Sequence, residues 1–97
     1  MTQRLIVKDV HTEAERTLPV DGVFAAIGIT PNSALYEGLV ELDAQGYIVA
    51  DETGRTSAPG VFAAGDIRVK GLRQIVTAAA DGAIAAMEAE RYLAARE

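Results

Sequence analysis

The sequence contains no cysteine, no tryptophan and a single histidine. Without cysteine, the 97-residue chain has no disulfide, no thiol nucleophile and no cysteine-ligated zinc. The one histidine, His11, lies in the polar stretch HTEAER, which is typical of a solvated turn. These absences exclude a catalytic triad and a metal cluster built from this chain.

Long apolar runs and an excess of positive charge are also missing. No stretch approaches the roughly 18 consecutive apolar residues of a membrane-spanning helix, and MTQRLIVKDV lacks the apolar core of a signal peptide. The formal charge is −5, from 14 acidic and 9 basic residues, whereas nucleic-acid binding needs a basic surface. We therefore expect a cytoplasmic protein that binds neither a membrane nor a nucleic acid.

The composition is that of one small folded domain. Hydrophobic residues make up 49% of the chain and charged residues 24%, which separates it from disordered and fibrous sequences. A chain of this length buries only about 60 to 65 per cent of its unfolded surface, so we expect marginal stability when it is alone.

The first half of the chain is rich in β-forming residues. Residues 5–10 and 18–27 flank the stretch HTEAER and predict a β-hairpin. Residues 40–42 and 47–50 flank DAQG, whose aspartate and glycine favour a tight turn, and predict a second hairpin. Between the two hairpins, SALYEGL predicts a short helical turn that ends at Gly38.

The second half predicts a short strand followed by a long helix. The apolar run VFAA at 61–64 is typical of a buried strand, and the composition from Gln74 to about Arg96 is strongly helical. On a helical wheel an apolar arc lies opposite a polar arc, and we expect the apolar, alanine-rich arc to pack closely on the sheet. The apolar arc consists of Ile75, Val76, Ala79, Ala80, Ala83, Ile84 and Met87, and the polar arc of Thr77, Asp81, Glu88, Tyr92 and Arg96.

The residues between the short strand and the helix form a candidate binding site. Gly65 has no side chain and permits close approach of a ligand, and Asp66 can accept hydrogen bonds from paired hydroxyls of a sugar or ribityl chain. The helix start at Arg73, Gln74 and Ile75 offers free N–H groups to a carbonyl or a phosphate. The pattern alone also allows Asp66 to be a turn residue or helix cap, and Arg73 and Gln74 to be ordinary solvated residues.

Two longer stretches resemble a known family. TSAPGVFAAGDIRVKGLRQIVTAAADGAIAA resembles the second flavin-binding motif of the bacterial type of thioredoxin reductase, among the FAD- and NADPH-dependent pyridine nucleotide disulfide oxidoreductases. VDGVFAAIGITPNSALYEGL resembles the stretch where that family's chain leaves the NADPH domain and crosses back into the FAD domain. The resemblance covers the whole chain but only about the C-terminal third of a family member.

The resemblance implies an α/β fold, as part of a Rossmann-like FAD/NAD(P)-binding domain with two β-hairpins, a short buried strand and a long C-terminal helix. It implies that residues 1–28 are the end of the NADPH-binding domain with the crossing strand. Residues 29–97 are then the C-terminal segment of the FAD-binding domain.

The resemblance also implies roles for individual residues. The family's aspartate that matches Asp66 binds the ribityl chain of FAD, and the residues that match Arg73, Gln74 and Ile75 lie at the flavin ring or at that chain. Gly65 matches the glycine that lets the cofactor approach. At Ala80 the sequence departs from the family, where glycine is common, so the resemblance implies no contact there.

The implied activity belongs to a longer protein, in which electrons pass from NADPH through FAD to a redox disulfide and on to thioredoxin. The chain has neither the family's cysteine pair nor its two glycine-rich dinucleotide motifs, so we expect this polypeptide alone to be inactive and to need the rest of the reductase.

Two alternatives stay open at this point. One is a fragment of the flavoprotein subunit of alkyl hydroperoxide reductase, which has a similar motif, although the arginine before Gln74 favours thioredoxin reductase. The other is a non-enzymatic module that associates with itself. Under all of these interpretations we expect the isolated chain to form a homo-oligomer, most simply a symmetric dimer, because surfaces that are covered in the family's fold would be bare.

Overall fold

The computed structural model describes residues 2–96, so Met1 and Glu97, the two end residues of the predicted domain division, lie outside the description. The elements follow in the order β1 (Arg4–Lys8), β2 (Glu15–Pro19), a 3-10 turn (Ala34–Tyr36) and α1 (Ile75–Ala95). The two strands and the long helix agree with the predicted α/β character, and the 3-10 turn lies within the predicted helical turn.

The first hairpin is present, but its second strand is not where we predicted it. β1 and β2 pair antiparallel, with Leu5 opposite Leu18. The turn begins directly after β1 and is short, because the Asp9 carboxylate accepts hydrogen bonds from the N–H groups of His11 and Thr12 at 2.8 and 3.1 Å. The second strand is therefore 15–19 rather than 18–27, and it ends at Pro19, which has no N–H for a longer ladder.

The second predicted hairpin and the predicted strand at 61–64 are reduced to isolated bridges. Leu42 and Ile48 form a single antiparallel bridge. They lie on either side of a tight turn, in which the Asp43 N–H donates to the Tyr47 carbonyl at 2.8 Å. Phe62 pairs with a single residue, Arg55. A regular strand needs a continuous ladder, and within residues 2–96 these segments find a partner at only one or two positions.

The hydrophobic core is small and lies under these bridges. Only Val40, Ile48 and Ala63 are buried apolar residues in the described part of the chain. A ring of partly buried side chains surrounds them: Leu42, Ala50, Ala58, Val61 and Ile67. So small a core agrees with the marginal stability expected from the chain length.

The long helix presents the opposite face to the one we predicted. Glu88 of the polar arc is 8% exposed and Asp81 and Tyr92 are partly buried, whereas Ile75 and Val76 of the apolar arc are 91% and 73% exposed. The polar arc faces the rest of the chain because its two carboxylates meet buried or half-buried cations there, and buried charges must be paired. The small core offers the apolar arc no comparable surface.

The repeated pentapeptide GVFAA has two different environments. In the first copy Phe24 is fully exposed, at 100%, within a stretch that has no regular structure. In the second copy Phe62 is partly buried and packs edge-on against Tyr92, with ring centroids 6.1 Å apart. The strand predicted through the first copy is therefore absent from the structure.

The chain is elongated, with extents of 66 × 27 × 20 Å and a radius of gyration of 20.2 Å. A compact domain of about this length has a radius of gyration of about 13 Å. Among the named elements, the β1–β2 hairpin packs against nothing but itself. Over residues 2–96, no helix combines the length and the apolar character that crossing a membrane requires.

Candidate functional site

The candidate site begins at Gly65, where the partly buried segment 61–64 ends. Gly65 has φ +85°, in the left-handed region that favours glycine. A side chain there would meet only the Ala78 Cβ, at 3.8 Å, so the backbone conformation rather than lack of space calls for glycine. The Gly65 N–H donates to Asp81 Oδ2 on α1 at 3.0 Å.

Four of the five predicted site residues line one open depression at the start of α1. Its volume is about 370 Å³, and its walls are Asp66, Arg73, Gln74, Ile75 and Ala78. Asp66 is exposed, and its carboxylate accepts no hydrogen bond from residues 2–96. The structure thus gathers these side chains on one surface, and the fifth residue, Gly65, directly precedes Asp66.

Arg73 braces the loop that carries Asp66. Its Nε donates to the Asp66 carbonyl at 2.9 Å and its Nη2 to the Arg68 carbonyl at 3.0 Å. The guanidinium carbon lies 3.9 Å from the centre of the Tyr47 ring, a cation–π contact. Arg73 is therefore not an ordinary solvated residue. The sequence did not predict Tyr47 as part of the site, because nothing in the residues around Tyr47 connects it to a loop that lies much later in the chain.

The helix start, at Gln74 and Ile75, lines the same depression. Gln74 has extended backbone and its N–H donates to Thr77 Oγ1 at 3.0 Å. The first main-chain hydrogen bond that closes the helix runs from the Ala78 N–H to the Gln74 carbonyl, also at 3.0 Å. The amides of Ile75 and Val76 precede that bond and have no acceptor within the helix, so they lie at the positive end of its dipole.

Asp81 does not line this depression and was not among the predicted site residues. Its Oδ2 accepts from Lys70 Nζ at 2.7 Å, Arg68 Nε at 2.8 Å and the Gly65 N–H at 3.0 Å. The hydrogen bond from Lys70, supported by those from Arg68 and Gly65, lowers the pKa of Asp81 well below its ordinary value of 3.8, although burial opposes the shift. The side chains of Arg68 and Lys70 are only 6% exposed. A signal was present in the sequence, since two cations precede the helix and one aspartate interrupts its alanine run.

A second buried carboxylate holds α1 two turns further on. Arg55 donates to Glu88 Oε1 through Nη2 at 2.8 Å and through Nε at 3.2 Å. Next to this ion pair, α1 packs closely on the chain at two small residues, Gly54 and Ala85. A Cβ atom at Gly54 would lie 3.3 Å from the Ala85 Cβ. The predicted close approach of the helix is therefore present, but on the polar arc.

Comparison with known proteins identifies the family. The model of the pyridine nucleotide-disulphide oxidoreductases matches residues 2–82. The chain belongs to this family, as the sequence motifs predicted.

Several individual relatives are thioredoxin reductases. The chain is 62% identical over 72 residues to the thioredoxin reductase of Peptoclostridium litorale, covering 74% of this chain and 23% of that protein. It is 47% identical over 98 residues to that of Neurospora crassa, covering 100% of this chain and 29% of the relative. The crystal structure of the Streptococcus pyogenes MGAS5005 thioredoxin reductase superposes on 96% of this chain and 30% of its own, with a TM-score of 0.81 and 39% identity. The chain thus spans less than a third of the length of these relatives.

Proposed function

We propose that this chain is the C-terminal FAD-binding segment of a thioredoxin reductase. In the complete protein, electrons would pass from NADPH through FAD to a redox disulfide and on to thioredoxin. The observation that carries the proposal is the unpaired Asp66 carboxylate beside the free amides at the start of α1, in a chain similar to thioredoxin reductases. We also propose that residues 1–28 end the NADPH-binding domain, that 29–97 belong to the FAD-binding domain, and that the protein is cytoplasmic.

The residues of the depression fit the flavin half of FAD. Asp66 supplies an anionic acceptor for ribityl hydroxyls, and the amides of Ile75 and Val76 supply donors for the carbonyl edge of the ring. Gly65 adds no side chain next to Asp66, and Arg73, itself part of the wall, holds the loop through the carbonyls of Asp66 and Arg68. When bound, FAD accepts two electrons from NADPH and passes them to a disulfide. The positive end of the α1 dipole favours electron-rich groups at the amides.

The remaining parts of the proposed reaction come from outside these residues. The sequence contains no cysteine for the disulfide and no glycine-rich motif for the adenosine half of FAD or for NADPH. The partners we propose are therefore the rest of the reductase and, for the complete protein, thioredoxin. The chain alone should bind FAD weakly or not at all.

A chimera tests the proposal. Residues 2–96 would replace the matching segment of the Streptococcus pyogenes reductase, whose structure superposes on 96% of this chain. We expect a yellow protein with stoichiometric FAD that reduces thioredoxin with NADPH. A folded chimera with no flavin would contradict the proposal, and the unmodified reductase is the positive control.

The exposed apolar arc favours a second candidate, a non-enzymatic module that associates with itself. Ile84 and Met87 are 44% and 57% exposed in addition to Ile75 and Val76, and such a stripe is typical of a contact surface. A colourless chimera, together with self-association of the isolated chain, would favour this module over the reductase.

A further inference from the structure

We infer that Asp81 is a positioning residue for the candidate flavin site: it sets the conformation of the loop 65–73 and thereby the direction of the Asp66 carboxylate. The identity of the ligand rests on the proposed function. The contacts that carry the inference are properties of this chain alone.

Three donors from one loop converge on a single oxygen of Asp81. The Gly65 N–H lies immediately before Asp66, and the Arg68 and Lys70 side chains lie after it. Asp81 itself sits within a 21-residue helix, which is the most regular element of the chain. The loop is therefore fastened to a rigid support on both sides of Asp66, while the Asp66 carboxylate is left free.

The other contacts of the loop do not replace this attachment. The Ile48 N–H donates to the Ile67 carbonyl at 2.8 Å, and the Ile48 carbonyl accepts from the Val69 N–H at 2.9 Å. These two bonds hold the middle of the loop. The Arg73 Nε donates to the carbonyl of Asp66. Among the described residues, the Gly65 N–H donates only to Asp81, so this carboxylate orients the Ala64–Gly65 peptide. The next peptide, which joins Gly65 to Asp66, is held through its carbonyl by the Arg68 N–H at 3.2 Å, and Arg68 is itself bound to Asp81.

The charges show why loss of Asp81 would move the loop. Arg68 and Lys70 are almost fully buried, and the other carboxylate near them, Glu52, is 94% exposed and 3.4 Å from Arg68. Without the Asp81 charge, two buried cations would lack a buried counter-charge, an arrangement that favours their movement into water. Both side chains belong to the loop, so their movement displaces Asp66 as well.

Glu88 provides a matched control on the same helix. It is also a buried carboxylate paired with an arginine, and it lies seven residues after Asp81 on the same arc. Its partners, Arg55 and Arg91, lie outside the loop 65–73. Removing the Glu88 charge should therefore disturb the docking of α1 without changing the Gly65 hydrogen bond.

The first experiment uses the 97-residue chain and measures amide hydrogen exchange at single residues. In Asp81→Asn the Gly65 amide should exchange at least about tenfold faster than in the unaltered chain, and in Glu88→Gln by less than about twofold. Asp81→Glu retains the charge but displaces the carboxylate, so it should show the same change at Gly65 even if Asp81→Asn does not fold. Equal exchange at Gly65 in all variants would overturn the inference.

The second experiment measures FAD dissociation from the chimera. Asp81→Asn or Asp81→Glu should weaken FAD binding by about tenfold or more, and Glu88→Gln by less than about twofold. The variants compared should have similar melting temperatures, so that the difference in FAD binding does not reflect unfolding. If Asp66→Ala keeps its flavin, the proposed function fails while the exchange result at Gly65 stands. If Asp66→Ala loses flavin but the Asp81 and Glu88 variants lose it equally, the positioning role is wrong and the proposed function stands.

Discussion

Two aspartates of the candidate site have opposite surroundings. Asp66 is exposed and meets no donor from residues 2–96, whereas Asp81 receives three donors on one oxygen. The free carboxylate is suited to bind a ligand, and the saturated one to hold the loop. The sequence predicted Asp66 because a familiar motif surrounds it. Asp81 was missed because its donors are 11 to 16 residues away, although the two cations before the helix and the aspartate in its alanine run were a signal.

At this scale the proposed role of Asp66 is tested by Asp66→Ala in the chimera. The variant removes a charged acceptor for ribityl hydroxyls and should cost about 1.5 to 3 kcal/mol of FAD binding. Flavin content after gel filtration and a fluorescence titration with FAD measure the loss. The control is Asp21→Ala, which removes an exposed aspartate that is distant from Asp66 in the sequence. Equal flavin content in the two variants would contradict the assignment.

At the scale of elements, helix α1 was predictable in extent but not in orientation. Its alanine-rich composition predicted a helix from Gln74 to about Arg96, and the observed one spans Ile75–Ala95. The wheel pattern assigned the apolar arc to the inside, because a helical wheel does not record that Arg55, Arg68 and Lys70 lie on the other side. Pairing of charges that are distant in sequence decided the face, and it is visible only in three dimensions.

Two glycines test how closely α1 is packed. Gly54 has φ +84°, and a Cβ there would lie 3.0 Å from the Ala63 carbonyl oxygen and 3.3 Å from the Ala85 Cβ. Gly54→Ala should therefore destabilise the chain by about 1 to 3 kcal/mol. Gly82 lies within α1, and a Cβ there would have open space around it, so Gly82→Ala should stabilise by about 0.5 to 1 kcal/mol. Urea unfolding measures both, and changes of the same sign would contradict this packing.

The docking of α1 should also depend on pH. Because the folded-state pKa of Asp81 is lowered below the ordinary 3.8, the unfolded chain binds more protons, and the carboxylate contributes stability above pH 3.8 that is lost as the pH falls below it. The free energy of unfolding should thus decrease between about pH 5 and pH 2. Asp81→Asn should show a shallower decrease in urea unfolding at several pH values, and an unchanged slope would refute this account.

At the scale of the whole molecule, the structure joins a small core to a large exposed apolar surface. Within residues 2–96, three buried apolar residues contrast with the apolar arc of α1 and the segment 23–29, which are both open to solvent. The most exposed side chains of these two surfaces are Phe24, Ile27, Ile29, Ile75 and Val76. The family and the α/β character followed from the sequence, but the elongated shape did not, because motifs carry no information on which surfaces lack a partner.

We expect the isolated chain to form a homo-oligomer that covers these surfaces. Apolar patches and unpaired strand edges both favour association. Light scattering during gel filtration at micromolar concentration should give a mass above 10.2 kDa. Ile84→Glu together with Met87→Glu, within the apolar arc, should reduce association, and a well-folded monomer of the unaltered chain would disprove the expectation.

The two copies of GVFAA have a consequence for proteolysis. A protease that cleaves after aromatic residues needs an extended, accessible segment of chain, and the two phenylalanines offer it the same local sequence. Phe24 is fully exposed in irregular backbone, whereas Phe62 is held against Tyr92 beneath α1. Brief digestion should therefore cut after Phe24 well before Phe62, releasing the hairpin as a separate peptide and leaving the loop with Asp66 attached to its helix.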